Sequence, residues 1–146
     1  MQSITDDYSI STDKAALDLP FIHHFLSTEA YWSLNIPMDI VKRSVEHSLC
    51  FGVYLGTQQV GFARIISDYA TIAYLGDVFI VPAHRGKGLS KRLIAGIMSH
   101  PDLQGLRRWI LLTGDAHGLY RQFGWVPIPK PELYMEIARP NLYALT

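Results

Sequence analysis

The chain has 146 residues, 49% of them apolar and 18% charged, which is one domain's worth and enough for a core that needs neither disulfides nor a structural metal. Thirteen basic side chains balance thirteen acidic ones, so a globally basic nucleic-acid module and an acidic disordered chain are both excluded, and polar recognition falls to local clusters. The single cysteine, Cys50, cannot form an internal disulfide or build a Cys-rich zinc site.

The opening residues MQSITDDYSI lack the basic start and apolar run of a leader peptide. No segment approaches the roughly 20 apolar residues of a membrane span. A cytoplasmic protein of one domain, residues 1–146, with no membrane, nucleic-acid or metal partner, is the expectation.

In chain order, residues 5–11 alternate loosely and predict an edge strand. Asp18 and Pro20 are N-cap and first-turn residues of a helix whose buried face is Ile22, Phe25 and Leu26. Pro37 and Asp39 open a second helix, with Val41 and Val45 one turn apart. The runs 50–55 (CFGVYL) and 60–66 (VGFARII) flank the polar stretch Gly56–Gln59 and read as an antiparallel hairpin. The run 72–81 (IAYLGDVFIV) suits a central strand covered on both faces, yet it carries one acid, Asp77. After Pro82 and a basic loop, Leu89, Leu93 and Ile97 share a helix face as far as about His100. A strand at 109–113, a short helix at about 116–123 stopped by Gly124, and last strands at Trp125–Val126 and 133–138 complete a mixed α/β order.

The strongest local signal is the loop Val81-Pro82-Ala83-His84-Arg85-Gly86-Lys87-Gly88-Leu89-Ser90. A buried strand leads into a tight turn, and the helix that follows points its free N–H groups and partial positive charge at the turn, which favours an anion. Gly86 and Gly88 permit positive φ and close backbone approach. Arg85, Lys87, Lys91 and Arg92 concentrate positive charge on a neutral chain. A glycine turn with solvated basic residues is the alternative reading. Neither the Walker spacing nor a Gly-x-Gly-x-x-Gly fingerprint occurs.

Arg85-Gly86-Lys87-Gly88-Leu89-Ser90 resembles the Arg/Gln-x-x-Gly-x-Gly/Ala signature of the GNAT superfamily of N-acetyltransferases, with Ser90 in the last position. Ala116-His117-Gly118-Leu119-Tyr120-Arg121-Gln122-Phe123-Gly124-Trp125 is similar to that superfamily's Ala-x-x-x-Tyr-x-x-x-Gly-Phe segment, with Trp in place of Phe. Together these motifs cover about residues 50–137. The resemblance implies a mixed, mostly antiparallel sheet splayed between its two central strands and flanked by about four helices. It implies acetyl-coenzyme A as cosubstrate. Its pyrophosphate would lie on the amides of Arg85, Gly86, Lys87, Gly88, Leu89, Ser90 and Lys91. Its pantetheine arm would lie along Val78, Phe79 and Ile80, with Thr113 as a further contact.

Acetyl transfer needs a neutral amine, and at pH 7 only about one alkyl amine in a thousand is neutral. A base or a desolvating site therefore helps. Asp77, an acid within an apolar strand, is the candidate base, acting through a water, or else a charge partner for a cationic substrate; a salt bridge with Arg64 is the competing reading. Tyr120 is the candidate acid for the leaving thiolate, against a core tyrosine at helical spacing with Ala116 and Phe123. Tyr31, Trp32 and Tyr74, with Tyr69 and the acids Asp68 and Glu29 nearby, are candidates for an aromatic acceptor pocket. His84 and His117 read as structural, the pair His23-His24 lacks metal-ligand spacing, and Cys50 reads as a small core residue. A small-molecule amine acceptor is favoured because no extra domain exists to grip a protein. A non-catalytic acyl-coenzyme A-binding module and a protein N-terminal or lysine acetyltransferase stay open, as does homodimerisation through terminal strands or helices.

Overall fold

The computed structural model describes residues 7–144. Among them the chain forms one five-stranded sheet in the order β1-β2-β3-β4-β5. The strands are β1 (Tyr8–Ser11), β2 (Leu49–Leu55), β3 (Gln58–Ser67), β4 (Ile72–Ile80) and β5 (Arg108–Leu111). The first four pair antiparallel, and β5 lies parallel to β4. Four helices accompany them: α1 (Leu19–Thr28), α2 (Met38–Glu46), α3 (Leu89–Met98) and α4 (His117–Arg121).

Strand alternation sends successive side chains to opposite faces, and the two faces carry separate cores. Cys50, Phe62 and Phe79 pack with Ile22, Phe25, Leu26, Val41 and Val45 of α1 and α2. Phe51, Val53 and Ile65 pack on the other face with Leu89, Leu93, Ile94 and Ile97 of α3 and with Tyr120 of α4. Burying each large apolar side chain contributes about 1.5–3 kcal/mol, so α1 and α3 are held by these stripes. Asp18 caps α1 as its sequence predicts, its Oδ1 accepting from Phe21 N at 3.1 Å. Phe79 stacks on Phe25 with ring centroids 3.8 Å apart, which locks α1 onto β4.

The β2–β3 turn is shorter than the polar run suggests. Leu55 pairs with Gln58, leaving only Gly56 and Thr57 in the turn, with Gly56 at φ 60°. Gln59 is buried within β3. Its side chain accepts from Asp18 N at 2.8 Å and donates to Gly61 O at 3.0 Å. A polar residue thus serves the interior because both its ends are satisfied. The edge strand expected over 5–11 is seen from Tyr8, and residues 5 and 6 lie outside the described residues.

The terminal strands expected at Trp125–Val126 and 133–138 are not formed. Beyond α4 the described chain holds only a 3-10 turn, Pro131–Leu133. Pro127, Pro129 and Pro131 remove donors that a ladder needs. Among the described residues no strand pairs with the segment 133–138, and Met135 is 97% exposed.

Candidate active site between β4 and β5

The register explains why a cleft opens in the middle of the sheet. β4 and β5 pair only from Ile72↔Arg108 to Leu75↔Leu111. Beyond Leu75 the two strands part, and Gly76, Phe79 and Ile80 keep partners on the β3 side alone. β4 also inserts an extra residue between its Arg64↔Gly76 and Phe62↔Phe79 pairs. Asp77 sits in this bulge at φ 54°, a left-handed conformation that costs a residue with a Cβ about 1 kcal/mol or more.

At the far end of β4, a 3-10 turn (Pro82–His84) and the glycine loop lead into α3. Gly86 and Gly88 have φ of 78° and 75°. A Cβ built on either would meet nothing of the protein within 4 Å. These glycines are therefore required by the backbone turn, and the space over them is left open. Gly88 is the N-cap of α3, and no side chain caps it; no acidic residue lies in the first turn. α1 contrasts with this, since Asp18 fills the same position there. The first-turn N–H groups of α3, at Leu89, Ser90 and Lys91, are thus left to an external acceptor, with exposed Lys87 and Lys91 beside them.

Arg85 is engaged within the chain, its backbone N–H donating to Pro82 O at 3.2 Å. Its Nε donates to Ile80 O at 2.7 Å, so the side chain folds back over the end of β4 and occupies the Ile80 carbonyl. The Phe79 ring is buried in the α1 core, leaving only its backbone to the cleft. Val78 is half-buried. His84 shares a 2.6 Å hydrogen bond with Tyr8 Oη, which ties the loop to β1. Thr113 is also engaged: its Oγ1 accepts from Ala116 N at 3.1 Å and Asp115 N at 3.4 Å, forming the entry to α4.

The salt bridge open in the sequence reading is present. Arg64 Nε lies 2.9 Å from Asp77 Oδ2. Trp32 Nε1 donates to Asp77 Oδ1 at 2.8 Å, and an Arg64 terminal nitrogen donates to Ser48 Oγ at 3.1 Å. Both carboxylate oxygens are therefore engaged. The chain Trp32–Asp77–Arg64–Ser48 links the α1–α2 loop, β4, β3 and the start of β2. Trp32 gives no sequence signal for this contact, because it pairs across the fold. Tyr31 packs edge-on to Trp32 with centroids 5.1 Å apart, and its hydroxyl approaches Gly114 after β5. Tyr74 is half-buried beside the bulge, where burial and then the Asp77 charge push its hydroxyl pKa up.

Three candidates lie elsewhere. Tyr69 stands in the β3–β4 turn at φ 61°. Asp68 builds that turn, accepting from Ala70 N, Thr71 N and Thr71 Oγ1, and these bonds hold its carboxyl well below the usual range. Glu29 is the exposed C-cap of α1. Residues 139–144, which carry no motif, return to the α1–α2 loop. There Arg139, Asn141 and Tyr143 line a cleft of about 400 Å³ with Tyr31, Trp32 and Asn35.

Tyr120 lies on the opposite face of the sheet from α1, buried at 7% exposure with its ring 5.8 Å from that of Trp125. Burial, with a smaller push from Asp115, raises its hydroxyl pKa to about 12. The group is thus protonated throughout the neutral range. His117 is exposed at the start of α4. His23 Nε2 donates to Ile36 O at 2.9 Å, a structural use. Cys50 is buried, and burial raises its thiol to about 11; a thiol so disposed is not a nucleophile. No helix of the described residues is long and apolar enough to cross a membrane.

The family model for the acetyltransferase (GNAT) family matches residues 19–125. A solved Xanthomonas campestris pv. campestris structure, named as a candidate acetyltransferase of that family, is 52% identical. The match covers 94% of this chain and 97% of that one, with a TM-score of 0.92. A Gibberella zeae protein, likewise named as a candidate acetyltransferase, is 35% identical over 136 residues, covering 78% of this chain and 76% of the relative. An Arabidopsis thaliana glucosamine-6-phosphate N-acetyltransferase shares the fold at 13% identity and a TM-score of 0.61, over 90% of this chain and 97% of that one. The split sheet, the glycine loop and these matches lead to one conclusion: the chain belongs to the GNAT acetyltransferase family.

Proposed function

We propose that the protein is an acetyl-coenzyme A-dependent N-acetyltransferase that acetylates a primary amine of a small molecule by direct attack in a ternary complex. The observation that carries this reading is the uncapped N-terminus of α3 behind Gly86 and Gly88, set at the end of the β4 segment that has no partner on β5. An anion at that helix start gains the orphan N–H groups and the partial positive charge. An extended pantetheine arm finds the strand edge of Asp77–Phe79 in the gap beside it. The open space over both glycines fits a bulky pyrophosphate. Bound there, acetyl-coenzyme A supplies a thioester activated for acyl transfer to nitrogen.

The chain's own groups divide the work. Tyr120 stays protonated because it is buried. A phenol near 12 gives its proton to a thiolate of about 8.5 only uphill, by about 5 kcal/mol. Its role in this reading is therefore to donate a hydrogen bond to the leaving sulfur rather than to protonate it fully. Asp77 has one carboxylate oxygen on the Trp32 indole N–H and the other on the Arg64 guanidinium, so both are already engaged within the chain. We assign it to positioning: it holds Trp32 and the α1–α2 loop against the cleft, where Tyr31, Trp32 and Tyr74 form the acceptor wall. The amine is deprotonated by solvent through the open side of this wall.

The test is calorimetric titration with acetyl-coenzyme A, followed by thiol-release assay against a library of small amines, with Gly88→Trp as the control. Binding by the parent, loss of binding by a folded control, and thiol release dependent on one amine class are expected. Binding without turnover on any amine or peptide would turn the reading into a cofactor-binding module. A folded parent that does not bind would reject it.

A further inference from the structure

Residues 139–144 carry no motif, yet they complete the cleft of about 400 Å³ on the acceptor side, where Arg139, Asn141 and Tyr143 meet Tyr31, Trp32 and Asn35. Both walls are held by their own bonds. Pro140 stands second in the turn Arg139–Leu142, where its ring presets φ, and Leu142 N–H donates to Arg139 O at 3.2 Å. In the opposite wall Asn35 N–H donates to Ser27 O at 2.9 Å, and Ser33 Oγ donates to Leu26 O at 2.7 Å. The aromatic end of the cleft reaches the gap in the sheet from both strands. Trp32 Nε1 is bonded to Asp77 in the β4 bulge, and the Tyr31 hydroxyl lies 3.2 Å from where a Cβ on Gly114 would stand, just beyond β5. A molecule seated in the cleft therefore has one end where β4 and β5 part.

Charge in this cleft is one-sided. Arg139 is the only charged side chain among the described residues that line it. It is exposed and makes no ion pair among the described residues. Asp77, reached through Trp32, is already balanced by Arg64. Asp68 builds the β3–β4 turn and Glu29 caps α1, and neither lines the cleft.

We propose that Arg139 sets the acceptor specificity: the cleft takes a primary amine with an apolar or aromatic body that also carries a carboxylate, the carboxylate on the Arg139 guanidinium and the amine at the β4–β5 gap. This deepens the acetyl-transfer reading above and rests on it. The planar guanidinium matches both oxygens of a carboxylate. The side-chain amides of Asn35 and Asn141 add neutral donors, and the rings of Tyr31, Trp32 and Tyr143 cover an apolar body. One cation suits one negative charge. A phosphate ester brings a charge of about −1.5 to −2, more than a single guanidinium offsets, and a polyamine sets a second cation against Arg139 with no acid in the lining to balance it. The reaction is unchanged: the amine nitrogen bonds to the acetyl carbon, the carbon–sulfur bond breaks, the amine's proton leaves through solvent, and the thiol is the other product.

Two matched pairs of amines test this: phenylalanine against phenylalaninamide, and para-(aminomethyl)benzoate against para-(aminomethyl)benzamide, with para-(aminomethyl)phenyl phosphate as the dianion. Thiol release by the full chain with acetyl-coenzyme A should favour the carboxylate of at least one pair by about tenfold or more in kcat/KM, mostly through KM. Arg139→Gln should erase that preference. Arg139→Lys, which keeps the charge without the fork, should keep part of it. Arg139 is exposed, so both variants should melt with the parent. Equal rates within both pairs, a preference for the phosphate, or a carboxylate preference that survives in Arg139→Gln would overturn the proposal. Calorimetric titration of the same probes, with and without coenzyme A, separates this proposal from the reading it rests on. A carboxylate probe that binds the parent and not Arg139→Gln supports the cleft assignment even where the cofactor does not bind. Turnover of both members of each pair without preference rejects the assignment and leaves acetyl transfer standing. Failure of every carboxylate probe to bind overturns the proposal whatever the cofactor does.

Discussion

Trp32 Nε1 donates to Asp77 Oδ1 at 2.8 Å, joining the loop between α1 and α2 to the bulge of β4. The bond matters because Asp77 is in turn held by Arg64 at 2.9 Å. The loop that carries the proposed acceptor wall is therefore fastened to the strand that splays. Replacing Trp32 with Phe keeps most of the ring and removes the donor. A hydrogen bond to a charged group is worth about 1.5–3 kcal/mol, less at a partly exposed site. Trp32→Phe is expected to raise KM for the amine about tenfold with a smaller change in kcat, while calorimetry finds acetyl-coenzyme A affinity unchanged. Asp77→Asn should show the same split and, by leaving Arg64 without its charge partner, lower stability by about 1–3 kcal/mol in denaturant titration. A fall in kcat alone, with a shifted acid limb of the pH profile, would instead make Asp77 the base.

Tyr120→Phe removes one oxygen from a packed ring and leaves the contact with Trp125 intact. General acid or hydrogen-bond assistance is worth about 100-fold or more where the leaving group is poor. A thiolate leaves readily, so the expected loss in turnover is smaller, about 10- to 100-fold. Cofactor affinity should hold within about twofold, since the phosphate loop lies at the other end of the cleft. Single-turnover kinetics with calorimetric binding checks this. Turnover equal to the parent's in the folded variant would return Tyr120 to the core.

Gly88 at φ 75° is the N-cap of α3 and, in the function proposed above, the floor of the phosphate site. Gly88→Ala places a methyl where no protein atom crowds it, so the stability loss is the left-handed backbone cost alone, about 1–2 kcal/mol. The loss in acetyl-coenzyme A affinity should exceed that, by about tenfold or more, because the methyl projects into the space left for the pyrophosphate. Equal losses in a denaturant titration and a binding isotherm would mean that the glycine serves only the turn.

How much of this was legible in the sequence depends on how local the cause is. α1 could be read from Asp18, Pro20 and the Ile22–Phe25–Leu26 face, because capping and helical periodicity act within one turn. The glycine loop could be read for the same reason: positive φ at Gly86 and Gly88 and a helix start are properties of consecutive residues. Arg85 was half legible, since its charge pointed to an anion, but its bond to Ile80 O follows from where β4 ends. The Trp32–Asp77 contact spans 45 positions, and no spacing encodes it; only the acid within an apolar strand hinted that Asp77 had a partner. The strand expected at 133–138 failed differently. Its alternation is real, but a strand exists only with a neighbour, and among the described residues none pairs with it.

The buried thiol gives a pH dependence whose sign is fixed. Cys50 titrates at about 11 in the folded protein against 9.0 for the free group, mainly because burial disfavours the thiolate. The unfolded chain therefore releases this proton first, and stability is full below pH 9 and falls as pH rises toward 11. At pH 10 the loss is on the order of 1 kcal/mol, the worth of about one pH unit beyond the unfolded value. Tyr54, Tyr74 and Tyr120 are also raised by burial, and with unfolded values near 10 each adds a few tenths of a kcal/mol, at most about 0.4, by pH 10. The Cys50 share is therefore the difference between parent and variant from about pH 8 to pH 10, in which the tyrosines cancel. Cys50→Ala should be less stable than the parent at neutral pH, by about 1 kcal/mol for the lost packing, and its stability should fall less than the parent's over that interval. Denaturant midpoints at both pH values, parent against variant, measure the difference. Parallel declines in the two proteins would place the alkaline loss on another group.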